Sequence, residues 1–92
     1  MQNMRVHLIV SGRVQGVWFR ESTRLKAAEL MVKGWVKNRS DGTVEITAEG
    51  MELNIKKFVE WCHEGPPQAV VRSVTETAEK LRGEFDSFNI VF

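Results

Sequence analysis

Two stretches of the 92-residue chain hold residue types that can manage a negatively charged group. The first is Ser11-Gly12-Arg13-Val14-Gln15-Gly16-Val17, with Arg20 three residues further on. The pattern predicts a loop between a strand and a helix. Backbone N–H groups in such a loop lack ladder partners and can converge into an anion-binding nest beside the positive end of the helix dipole. Glycines let the chain bend there and let a ligand approach the backbone closely. A cation in the first helical turn is badly placed with respect to the dipole. Arg20 makes sense in that turn if an anion lies between its guanidinium and the N–H groups. A Gly-rich connector beside a surface arginine would leave the same pattern, and short glycine motifs alone do not separate the two. The stretch is not a Walker loop, since no Gly-Lys-Ser/Thr follows, and G-x-G-x-x-G is absent.

The second stretch ends at Asn38. Along Gly34–Arg39, Trp35, Lys37 and Arg39 share one face of a strand, and Val36 and Asn38 share the other, core-facing one. An amide at that phase needs partners. At a strand end, just before a turn, water or a ligand could supply them. A turn-capping asparagine is the competing reading, common before a sequence such as Ser40-Asp41-Gly42. Other constellations fail. His7 and His63 lie in different elements and make no convincing metal pair. Cys62 falls on the inner stripe of a helix, which suits a core residue better than a nucleophile. Asp41, Glu45 and Glu49 read as a solvated acidic face, and no Ser–His–Asp arrangement is evident.

The elements that must position these residues follow from periodicity. Arg5–Ser11 alternates, with Val6, Leu8 and Val10 on one face. A helix is expected from about Phe19 to Val32, its inner face formed by Phe19, Thr23, Ala27 and Leu30. Trp35–Arg39 and Thr43–Glu49 read as two strands joined by a short turn, with Val44, Ile46 and Ala48 facing inward. A second helix is expected near Glu52–His63, where Ile55, Phe58, Val59 and Cys62 form the stripe and Gly65-Pro66-Pro67 stops it. Val70–Thr77 is rich in strand formers, and Phe88, Ile90 and Phe92 alternate in a short last strand. The order β-α-β-β-α-β plus a terminal strand suits an α+β ferredoxin-like sandwich: an antiparallel sheet, both helices on one face, the other face open to water.

Composition bounds the rest. The length fits one domain, residues 1–92, and the hydrophobic fraction of 42% is ordinary for a globular chain. No stretch approaches the ~20 apolar residues of a membrane span. Met1–Arg5 shows neither a long apolar region nor a cleavage site, so no signal peptide is expected, and the sequon Asn38-Arg39-Ser40 is discounted accordingly. One cysteine excludes an internal disulfide. The net charge is +1, yet residues 1–40 hold eight Lys and Arg against two Asp and Glu, and residues 41–92 hold five against ten. A basic first half suits an anionic ligand, unless the halves interleave in space and neutralise each other.

Gly12-Arg13-Val14-Gln15-Gly16-Val17-Trp18-Phe19-Arg20 resembles the first signature of the acylphosphatase family, and Gly34-Trp35-Val36-Lys37-Asn38-Arg39-Ser40-Asp41-Gly42-Thr43-Val44-Glu45 resembles the second, at the right separation. Glu49-Gly50, Trp61, Gly65-Pro66-Pro67 and Phe88-Asn89-Ile90 extend the likeness over essentially the whole chain. The resemblance implies a ferredoxin-like sandwich that hydrolyses the carboxyl–phosphate bond of acyl phosphates. It implies that the backbone of Arg13, Val14, Gln15, Gly16 and Val17, with the Arg20 guanidinium, holds the phosphoryl group. It also implies that Asn38 positions the attacking water, with no metal, cofactor or covalent intermediate. The expected setting is a cytoplasmic monomer whose partners are an acyl phosphate and the inorganic phosphate it releases, with no nucleic acid and no membrane. One departure is minor: many members carry a glycine near Met31, between the helix and Gly34-Trp35-Val36. Trp18 occupies a variable position of the first motif, where its bulk beside the loop bears on substrate access.

The chemistry is consistent with these residues. The leaving carboxylate is a weak base that needs little protonation, so the absence of an evident general acid is tolerable. Arg20 offers a planar fork matched to two phosphoryl oxygens, and Asn38 can orient a water but is too weakly basic to deprotonate it. Two other classes compete. An RNA-binding sheet would show Arg5, His7, Trp35, Lys37 and Arg39, but Val44-Glu45-Ile46-Thr47 lacks paired stacking aromatics. A relative that only binds anions or a protein would keep the fold without turnover.

Overall fold

β1 (Asn3–Arg13) forms because Val6, Leu8 and Val10 alternate with polar residues, and all three are completely buried. The computed structural model describes residues 2–92, so Met1, the first residue of the segment read for a signal peptide, lies outside the described residues. The remaining elements are α1 (Phe19–Glu29), β2 (Lys33–Asn38), β3 (Val44–Met51), α2 (Glu52–Glu64), β4 (Val70–Glu79) and β5 (Phe88–Ile90). The strands make one five-stranded sheet in the order β4-β1-β3-β2-β5. Val36, Val44, Ile46 and Ala48 present its inner face, and Phe19, Thr23 and Ala27 of α1 with Ile55, Phe58, Val59 and Cys62 of α2 close over it. The expected α+β ferredoxin-like sandwich is the observed one. Among the described residues, no helix is long and apolar enough to cross a membrane.

The sheet is mixed, which corrects the expectation of an antiparallel one. β1 pairs antiparallel with β3 and β4, and β2 antiparallel with β3, but β5 runs parallel to β2 through Gly34–Phe88, Trp35–Asn89 and Val36–Ile90. The reason is topological. β4 occupies one edge beside β1, the chain reverses once, and the free edge it reaches is that of β2, whose direction then matches its own. The strand expected through Phe92 ends at Ile90, and Phe92 stands outside the sheet, 99% exposed.

The crossing from β4 to β5 is guided by charge. Arg5 donates to Glu49, Glu79 and Glu84 at 3.0, 2.9 and 2.7 Å. Glu49 also accepts the backbone N–H groups of Arg82 and Gly83 at 3.0 and 3.1 Å. Burial disfavours the Glu49 carboxylate, yet the Arg82 N–H, the Arg5 guanidinium and the Gly83 N–H outweigh it and hold the group below its ordinary value. The expected solvated acidic face is therefore only partly solvated: Glu49 is buried, and Glu45 is half-buried against His7, whose Nε2 lies 2.7 Å from its Oε2. Arg5, expected on the open face, is buried for the same reason. A buried guanidinium and carboxylate require each other there.

α1 ends three residues earlier than its apolar spacing predicts. Met31 adopts φ 55°, its N–H donates to the Ala28 carbonyl, and the Val32 N–H donates to the Ala27 carbonyl. This is a Schellman closure with methionine where glycine is favoured.

Candidate active site

The loop between β1 and α1 begins with a break in register. The pairing of β1 with β4 shifts between Ser11 and Gly12, where the chain passes at φ 126° so close to β4 that a Cβ would stand 2.2 Å from the Val70 carbonyl oxygen. Only glycine fits. β1 then runs on to Arg13, which pairs with Val70, so Arg13 closes the strand and the free loop is Val14–Trp18. Val14 and Val17 are buried and anchor that loop to the core. Gly16 and Trp18 take positive φ, 73° and 66°, and curl the backbone between the anchors. As a result, among the described residues no backbone acceptor takes the N–H groups of Gln15, Gly16, Val17, Trp18 or Phe19, and the first helical bond is that from Ser22 to the Trp18 carbonyl. These N–H groups, with the unpaired first turn of α1, are the kind of donors an anion-binding loop uses.

Gln15 ties the loop to the rest of the site. Its Nε2 donates to the carbonyls of Arg39 and Thr43 at 2.8 and 2.9 Å, which joins the loop to the turn between β2 and β3. Sequence reasoning used Gln15 only for its backbone. The contact spans 24 and 28 residues, and no local pattern signals it.

Arg20 sits in the first turn of α1. The adjacent carboxylate, Glu21, is occupied by Arg24, which donates to it twice, at 2.8 and 2.7 Å. The Arg20 guanidinium thus keeps its donors free of carboxylates among the described residues, and its carbon lies 5.2 Å from the centre of the Phe92 ring.

Asn38 is the last residue of β2, on the same face as the fully buried Val36. The turn that follows is capped by a different residue. Asp41 Oδ1 accepts from the Thr43 N–H and hydroxyl at 3.0 and 2.6 Å, and the Arg39 N–H donates to the Thr43 carbonyl. The turn-capping reading of Asn38 therefore fails. Its Oδ1 is buried and meets no protein donor.

The three features converge. A cleft of about 320 Å³ is lined by Val14, Gly16 and Trp18 of the loop, Phe19, Arg20 and Glu21 of α1, Asn38 of β2, and Ile90 and Phe92 at the chain end. Sequence reasoning missed Ile90 and Phe92, because the parallel pairing of β5 brings them here. Among the described residues, no three His, Cys, Asp or Glu side chains cluster as a metal site would require. Cys62 is fully buried outside the cleft, and burial pushes its thiol up, away from nucleophilic use.

An α+β sandwich that gathers loop residues with unpaired N–H groups, a carboxylate-free guanidinium and an unpartnered amide at one cleft has the donors of an anion-binding domain. Comparison with known proteins names the family. The acylphosphatase family model matches residues 6–90. The chain is 48% identical over 92 residues to an acylphosphatase from Pelotomaculum thermopropionicum, covering 100% of each. It is 54% identical over 84 residues to one from Marinobacter nauticus, covering 91% of each. Its fold matches an acylphosphatase structure from Coxiella burnetii with a TM-score of 0.92 at 45% identity, over 97% of this chain and 93% of that one. The chain belongs to the acylphosphatase family.

Proposed function

We propose that this chain, as one domain over residues 1–92, hydrolyses the carboxyl–phosphate bond of acyl phosphates, with Arg20 and Asn38 as its catalytic side chains. The observation that carries the reading is the meeting of unpartnered N–H groups, a carboxylate-free guanidinium and an unpartnered Asn38 amide in one cleft. The backbone of Arg13, Val14, Gln15, Gly16 and Val17 receives the phosphoryl oxygens. Because Arg13 is paired in β1, the direct donors are the N–H groups from Gln15 onward. Arg20 spans two further oxygens with its fork. The donors are held by the fold before substrate arrives, so little reorganisation is needed as charge develops.

Asn38 Oδ1 accepts a hydrogen bond from one water and holds the water oxygen towards phosphorus. The new P–O bond forms as the bond from phosphorus to the acyl oxygen breaks. That electron pair leaves with the carboxylate, and both hydrogens of the water remain on the released phosphate as its two hydroxyl protons until solvent takes one. A carboxylate leaves readily, so the scheme asks for neither a metal nor a strong general acid. The reading extends to a monomer in the cytoplasm, with the acyl phosphate as its small-molecule partner. The lone buried thiol of Cys62 fits a reducing compartment.

The test is hydrolysis of benzoyl phosphate in excess EDTA. The wild type turns over, and Arg20→Ala loses about 10²–10³-fold, the scale for removing one preorganised donor. Near-normal turnover by Arg20→Ala, or activity that vanishes with EDTA, overturns the assignment.

A further inference from the structure

Two of the largest exposed apolar side chains line the cleft of the proposed phosphate cradle. Trp18 is 73% exposed and Phe92 99% exposed, and both line the cleft that holds Arg20 and Asn38. A bulky residue at φ 66° is uncommon and costs roughly 1–2 kcal/mol. Trp18 lies between Val17 and Phe19, whose side chains are both buried, so its backbone is anchored on both sides and its indole is left exposed beside the loop. Phe92 lies beyond the end of β5 with its ring against the Arg20 guanidinium, 5.2 Å away. Neither ring fills the core, and neither is needed to hold a phosphoryl group.

The other walls divide by chemistry. The loop N–H groups, Arg20 and Asn38 are the polar groups suited to phosphate and water. Val14 and Ile90 add apolar surface, and the remaining charged group, Glu21, would repel an acidic tail. Once the phosphoryl oxygens are satisfied, the cleft offers the acyl group hydrocarbon and aromatic faces, with no cation left over.

We propose, resting on the phosphoryl site described above, that Trp18 and Phe92 read the acyl group: they clasp an apolar, ring-bearing acyl chain above the cradle and favour it over acetyl. Stacking on rigid aromatic rings gains apolar contact at small entropic cost. A ring-bearing acyl group adds about 2- to 13-fold per aromatic contact, the range of such pairs.

The experiment compares kcat/KM for benzoyl phosphate and acetyl phosphate in the wild type, Trp18→Asn and Phe92→Ala. Asparagine tolerates the left-handed backbone, so the loop keeps its course. Inhibition by inorganic phosphate reports the cradle independently of the acyl group. Each variant is expected to lower the benzoyl-to-acetyl ratio by about 3- to 10-fold while phosphate inhibition stays within about twofold. Wild-type turnover that depends on Arg20, with an unchanged ratio in both variants, overturns the acyl-reading role and leaves the phosphoryl site standing. Equal losses on both substrates with weaker phosphate inhibition also overturn it, since the two rings would then only position the loop and Arg20. A folded wild type that hydrolyses neither substrate removes the phosphohydrolase reading itself, and the acyl-reading role with it.

Discussion

Replacing Asn38 by alanine should separate activity from stability, and the structure sets the size of both effects. Hydrogen bonds among the described residues do not involve the Asn38 side chain, and its Oδ1 meets no protein donor despite burial. Asn38→Ala therefore removes no protein–protein hydrogen bond. Both residues are poor strand formers, so the strand end changes little. The stability change should stay within about 1 kcal/mol, a shift in Tm of no more than about 4–8 °C for a domain of this size. The catalytic effect should be far larger. A water that is no longer held in line costs on the order of 10²-fold or more in kcat. Inorganic phosphate should still inhibit within about threefold of the wild type, because the loop N–H groups and Arg20 are intact. A thermal melt, benzoyl phosphate turnover and phosphate inhibition on one preparation decide the matter. Unaltered kcat would refute water positioning. Collapse of phosphate affinity would make Asn38 a ligand of the anion. A large fall in Tm that accounts for the lost activity would make it structural.

The other predictions concern the frame around the site. Met31→Gly should raise stability by about 0.5–1 kcal/mol. The left-handed φ of 55° penalises methionine, its side chain is exposed, and the penalty is partly offset by the freedom glycine gains on unfolding. A chemical denaturation curve with an unchanged or lower midpoint would contradict this. Glu49 and Glu79 are both held below the ordinary glutamate value of about 4.5. For Glu79 the cause is chiefly its hydrogen bond from Arg5. Their contribution is thus fully present above that value and is lost as pH falls through the lowered folded values. The denaturation midpoint should hold between about pH 5 and 7 and drop below about pH 4.5. Glu49→Gln should flatten that acid limb and cost about 1–3 kcal/mol at neutral pH, since Arg5 retains Glu79 and Glu84. An acid limb identical to the wild type would remove Glu49 from the account.

Much of the site was legible because its signals are local. The strand-to-helix loop, the apolar stripes of both helices and the core-facing phase of Asn38 are each encoded within about ten residues, where periods of 2 and 3.6 separate strand from helix. The misreadings lie where local pattern and long-range contact disagree. Arg5 and Glu49 were assigned to a wet face by alternation alone, yet the crossing segment buries them against each other and against the Arg82 and Gly83 N–H groups. The apolar spacing of α1 runs to Leu30 and predicts a helix to about Val32, whereas the left-handed backbone of Met31 closes it at Glu29.

The joint role of the loop, Arg20 and Asn38 came from the family resemblance that the two candidate stretches carry, and residue types and spacing alone specified those stretches and the element order. Such features arise from backbone sterics, periodicity and turn chemistry, which act between near neighbours. The direction of β5 was decided only by the assembled sheet, because a strand takes its polarity from whichever edge is free when the chain arrives. That polarity carries Ile90 and Phe92 to the same end of the sheet as Asn38 and sets the Phe92 ring against Arg20. The Gln15 brace has the same origin: its partners lie 24 and 28 residues away and meet it only after β2, β3 and the loop have been brought together by packing.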